Sequence, residues 1–116
     1  MSEYQDKTLS GESVKTDFKK DMTYGEYLSL EQILTAQNPL SDEHDEQLFI
    51  IIHHVSELWM KLMIHELNSA IEDISKDEFR VAFKKLARVA NAQNQIISSW
   101  DVLSTLTPSD YLKFRD

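Results

Sequence analysis

Hydrophobic positions recur with a helical period over most of the chain, and polar stretches break the pattern at four places. Residues 1–21 are polar, mixed in charge and aperiodic, and read as a mobile tail; residues 22–116 carry the periodic pattern. A short helix is predicted after Ser29, with Ser29 and Gln32 as a capping box and Leu30, Ile33 and Leu34 as its apolar face. It should end before Asn38 and Pro39, because the residue before proline avoids the helical region. A long helix is predicted from about Asp42 to Ile74, its positive end facing Asp42, Glu43, Asp45 and Glu46. A third should start at a Ser75–Glu78 capping box and reach about Leu103, with Arg80, Lys84 and Arg88 as a solvated stripe. Thr107 and Pro108 then announce a fourth helix, threonine as cap and proline in the first turn.

The long helix is unusual in being apolar nearly all round. At about 100° per residue, Phe49, Glu57, Met60, Ile64 and Leu67 fall near His53. Leu48, Ile51, Val55, Leu58, Trp59 and Leu62 fall on the opposite side. Such a helix is buried on most sides. The other three cannot cover it, so the chain is expected to oligomerise, to belong to a larger chain, or both. The expected fold class is all-α, built from long antiparallel helices of a bundle.

Composition agrees and narrows the chemistry. Two glycines and two prolines in 116 residues favour long helices over many turns. The absence of cysteine excludes disulfides, thiolate metal sites and cysteine nucleophiles. With no apolar signal segment at the N-terminus, a cytoplasmic location is expected. The longest apolar run, Leu48 to Ile52, is too short for a bilayer, so no membrane partner is expected. A net charge of −8 argues against nucleic acid.

Two constellations could carry chemistry. His53 lies on an apolar face and needs a hydrogen-bond partner, which Glu57, one turn later, could supply as a core pair. A carboxylate-bridged metal site using His54 and Glu57 lacks ligands in the middle of the third helix, so no metal site is assigned to this chain. Tyr111 and Arg115 stand four apart, a phenol beside an arginine fork that suits a carboxylate; an exposed surface pair is the alternative.

Five motifs, in order, resemble the tryptophan 2,3-dioxygenase family. They are Thr23-Tyr24-Gly25-Glu26-Tyr27-Leu28, Gln37-Asn38-Pro39-Leu40-Ser41, Leu48-Phe49-Ile50-Ile51-Ile52-His53, Ser56-Glu57-Leu58-Trp59, and Leu106-Thr107-Pro108 through Phe114-Arg115-Asp116. The resemblance covers about residues 22–116 and implies the N-terminal part of an all-helical homotetramer that binds haem b. It implies insertion of dioxygen into L-tryptophan to give N-formylkynurenine. His53 would be the distal histidine that accepts a hydrogen bond from the indole N–H. Phe49 would pack on the indole, Arg115 would pair with the substrate carboxylate, and Tyr111 would be a second donor. Tyr24, Tyr27 and Leu28 would line the pocket from a neighbouring subunit, and Trp100 would stand near the haem. Family chains are well over twice as long, and their proximal histidine falls beyond residue 116. The chain alone is therefore expected to be inactive. The alternative is a non-catalytic helical oligomerisation module.

Overall fold

The computed structural model describes residues 22–115; the 1–21 tail and Asp116 lie outside the described residues. The described residues divide after Asn38 into two compact units. The described residues form helices and no strands, so the fold is all-α.

In the first unit, α1 (Tyr24–Leu28) and α2 (Leu30–Leu34) are each a single short piece. The capping box belongs to Thr23 and Glu26, not to Ser29 and Gln32. The Glu26 N–H donates to Thr23 Oγ1 at 3.2 Å, and the Thr23 N–H donates to Glu26 Oε1 at 3.0 Å. Ser29 instead closes α1 in the left-handed region, φ 54°, and makes no side-chain cap bond. A serine there lacks the freedom of glycine, but its N–H reaches the carbonyls of Glu26 and Gly25.

In the second unit, α3 (Glu46–Ser75) and α4 (Phe79–Ser98) make an antiparallel hairpin. The direction is fixed by their ion pairs, since early α4 meets late α3. Lys85 Nζ donates at 2.6 Å to both Asp73 Oδ2 and Ser69 Oγ, and Arg88 Nη1 donates to Glu66 Oε2 at 3.0 Å. Arg88 thus leaves the expected solvated stripe and binds across the hairpin. Ala70, Ala82 and Ala92 are the buried residues that accompany these pairs, so small side chains let the two helices approach. α5 (Trp100–Leu103) and α6 (Pro108–Leu112) complete the unit.

Three predicted boundaries move, each for a local reason. α3 starts at Glu46 rather than Asp42, because the Glu46 carboxylate binds back to the preceding chain. It accepts from the Leu40 N–H at 2.9 Å, the Ser41 N–H at 2.9 Å and the Ser41 hydroxyl at 2.6 Å. These bonds hold its pKa below the ordinary carboxylate value, the Leu40 N–H first and the Ser41 hydroxyl next. Ser75 ends α3 instead of capping α4: its hydroxyl donates to the Glu72 carbonyl at 2.6 Å. The turn is made by Asp77 at φ 60° and by the Glu78 N–H bonding to the Asp73 carbonyl at 2.8 Å. α4 stops at Ser98 because the Ser99 hydroxyl bonds back to the Ile96 carbonyl, which breaks the run before α5.

The apolar girdle of α3 is left open. Ile64 and Ile71 are 60% and 64% exposed, and Phe83 on α4 is 61% exposed. No helix among the described residues is long and apolar enough to cross a membrane.

Candidate functional site

The site is built where the start of α3 meets the turn of α6. Thr107 caps α6 as its sequence predicts. The Asp110 N–H donates to Thr107 Oγ1 at 3.1 Å, and the Thr107 N–H donates to Asp110 Oδ2 at 3.2 Å, with Pro108 in the first turn. Hydrogen bonds from Thr107, helped by the charge of Lys113, lower the Asp110 pKa. The turn runs on past α6, since the N–H groups of Phe114 and Arg115 both donate to the Tyr111 carbonyl, at 3.2 and 3.1 Å.

Four rings meet here. Phe49 stacks tilted on His53 with centroids 4.3 Å apart. It also meets Tyr111 at 5.6 Å and Phe114 edge-on at 5.5 Å. Tyr111 and Phe114 close the set at 5.6 Å, near perpendicular at 82°. The separations among Phe49, Tyr111 and Phe114 lie in the range where aromatic pairs attract beyond their buried area.

His53 is exposed, not a core residue, and Glu57 is not its partner. Its Nδ1 lies 2.7 Å from the Phe49 carbonyl oxygen. A carbonyl can only accept, so Nδ1 carries the proton. In the neutral ring Nε2 then keeps its lone pair as an acceptor, on a side chain that is exposed. The site thus offers aromatic surface, one acceptor nitrogen and, at the next residue beyond Phe114, the exposed Arg115.

Of the residues singled out from sequence, Phe49, His53 and Tyr111 come together, with Arg115 on the same turn as Tyr111. Tyr24, Tyr27 and Leu28 lie on α1 in the other unit, where spacings of three and four put them on one helix face. Trp100 opens α5 and is 65% exposed. Among the described residues no ring contact joins it to the Phe49 cluster. Also among the described residues, no three His, Cys, Asp or Glu side chains group as metal ligands. Phe114 is the residue sequence reasoning passed over; its three-residue spacing from Tyr111 was the available signal.

A sequence model of tryptophan 2,3-dioxygenases matches residues 10–116. The chain belongs to the tryptophan 2,3-dioxygenase family. A tryptophan 2,3-dioxygenase of Bacillus anthracis is 60% identical over 111 residues, covering 96% of this chain and 40% of the relative. That of Exiguobacterium sibiricum is also 60% identical, with the same coverage. That of Shewanella woodyi is 56% identical over 105 residues, 90% of this chain and 37% of the relative. The chain therefore spans about 40% of the length of the curated tryptophan 2,3-dioxygenases it matches. The family match begins at residue 10, inside the segment read from sequence as a tail.

Proposed function

We propose that this chain forms the substrate side of the pocket in a haem-dependent enzyme that converts L-tryptophan and dioxygen to N-formylkynurenine. The observation that carries the reading is the meeting of Phe49, His53 and Tyr111, with Nδ1 of His53 held by the Phe49 carbonyl and Nε2 left as the acceptor. In this reading Nε2 of His53 accepts a hydrogen bond from the indole N–H, and the Phe49 ring packs on the indole. Arg115 clamps the substrate carboxylate with two parallel N–H donors, and the Tyr111 hydroxyl adds a third. Tyr24, Tyr27 and Leu28 line the pocket of a neighbouring subunit in a cytoplasmic homotetramer.

The donor set fits the substrate side of a haem pocket and not its iron-ligating side. Its polar groups are one acceptor nitrogen, a phenol hydroxyl and a cation set against aromatic rings, and His53 and His54 are adjacent on α3, so they cannot grip opposite faces of one haem. Haem b, when bound, would supply the iron chemistry that activates dioxygen. The chain's own residues orient tryptophan and keep water from it.

A second reading, a non-catalytic helical oligomerisation module, is favoured by the open apolar girdle of α3 and α4. One experiment separates the two. This chain replaces the matching segment of the Bacillus anthracis relative, and the fusion is assayed for haem by its Soret band and for N-formylkynurenine. Haem loading with tryptophan turnover is expected. A folded, haem-loaded fusion that leaves tryptophan unchanged overturns the enzyme reading, and a folded oligomer without haem supports the second.

A further inference from the structure

Among the described residues, Phe114 is the one large apolar side chain that is buried, at 8% exposure; the other buried apolar residues are Ala70, Ala82 and Ala92. A buried phenylalanine two residues past a five-residue helix is out of proportion to what that helix needs for itself. Its ring lies edge-on to Phe49 at 5.5 Å and to Tyr111 at 5.6 Å, and those two rings are themselves 5.6 Å apart. The three form a closed triangle that spans two elements, α3 and the α6 turn. The same turn carries Arg115, whose N–H shares the Tyr111 carbonyl with that of Phe114. An isolated helix of this length does not hold its own shape in water. The position of Tyr111 and Arg115 relative to Phe49 and His53 therefore depends on what pins the turn to α3.

We infer that Phe114 is a positioning residue that sets the distance between the ring-binding end of the site (Phe49 and His53) and the carboxylate-binding end (Tyr111 and Arg115). The inference rests on the proposed function for the identity of those two ends. Phe114 itself is too buried to touch substrate. Its effect is on which ligands fit: those whose carboxylate stands at tryptophan's distance from the ring. A ligand that lacks the carboxylate, such as tryptamine, uses only the α3 end and is indifferent to the turn.

The test uses the haem-loaded fusion described above with Phe114→Ala, Phe114→Leu and Phe114→Tyr. Phe114→Leu keeps an apolar filler without a flat ring, so it guards against a variant that simply fails to fold; Phe114→Tyr keeps the ring. Equilibrium binding and steady-state kinetics are measured for L-tryptophan and for tryptamine. For Phe114→Leu, affinity and KM for L-tryptophan should worsen about ten- to a hundredfold, with tryptamine nearly unaffected and kcat little changed. Phe114→Tyr should restore most of the difference. If both ligands weaken together in step with a lowered Tm, or if neither changes, the positioning role is overturned. If the unsubstituted fusion already binds tryptophan no better than tryptamine, the carboxylate role of Arg115 in the proposed function fails first, and that of Phe114 with it.

Discussion

Arg115 and His53 are unequal partners for a substrate. In the proposed site the guanidinium meets a full negative charge, and losing one side of such a pair in a closed pocket costs about 2–5 kcal/mol. Arg115→Ala in the fusion should therefore lose roughly 30- to several thousand-fold in kcat/KM for L-tryptophan. Lysine should not rescue it, because a point charge lacks the planar fork. His53 makes one neutral hydrogen bond, so His53→Ala should cost only about two- to tenfold and leave turnover measurable. Equal losses in the two variants would contradict this ranking. Glu46 makes a different kind of contribution, to the chain before α3. Its pKa is lowered in the folded protein, so the stability it adds is fully present above the ordinary carboxylate value. That stability is lost as pH falls through the folded value. The Tm of Glu46→Gln should accordingly lie below the parent's at neutral pH and converge with it in acid; a constant gap at all pH values would refute the assignment. Neither the Glu46 latch nor the His53 tautomer was legible in the sequence. Periodicity reported that Glu46 begins a helix and that His53 needs a partner, but backbone N–H and C=O groups carry no residue signature. Glu57 looked the better partner only because it has a side chain to count.

The hairpin of α3 and α4 is held by alanines and two cross-helix ion pairs, so its polar contacts matter more than in a bulky core. The Lys85–Asp73 pair is the better shielded, with side chains 23% and 13% exposed. Asp73→Ala should destabilise the protein by about 1.5–3 kcal/mol in urea unfolding, since it strands an ammonium against the helix. The double substitution Asp73→Leu with Lys85→Met should recover much of that loss. A double variant as weak as the single one would mean the site tolerates no apolar replacement. At this scale the sequence was most informative where a signal was strong and local. Thr107 with Pro108 located α6, and the apolar period located α3 and α4. It was least informative at turns made by unexpected residues. Asp77 and Ser29 take positive φ without being glycine, so neither break announced itself. The Thr23–Glu26 box was present as a motif, and the competing serine box six residues later drew the helix start away from it.

Among the described residues, Phe114 is the one large apolar side chain that is buried. An open girdle with Ile64, Ile71 and Phe83 each more than half exposed should drive the 116-residue chain into oligomers, visible by light scattering. A monodisperse monomer that melts cooperatively would overturn this expectation. The two capping boxes have a further consequence, one of timing. The tyrosines singled out from sequence all ride on α1 and α6, five-residue helices each started by a threonine that binds an acidic residue three positions on. Helices so short open without waiting for the rest of the protein, whereas amides deep in the thirty-residue α3 are released only by wider unfolding. In hydrogen exchange, the amides of Glu26 and Asp110 should exchange early and those flanking Ala70 late. A uniform exchange rate across the chain would contradict this. Thr23→Ala and Thr107→Ala should each speed exchange only in their own helix. Tyr24, Tyr27 and Tyr111 would thus breathe on a faster clock than the α3–α4 hairpin, so that a ligand reaching Tyr111 is admitted by brief local openings while the hairpin stays shut.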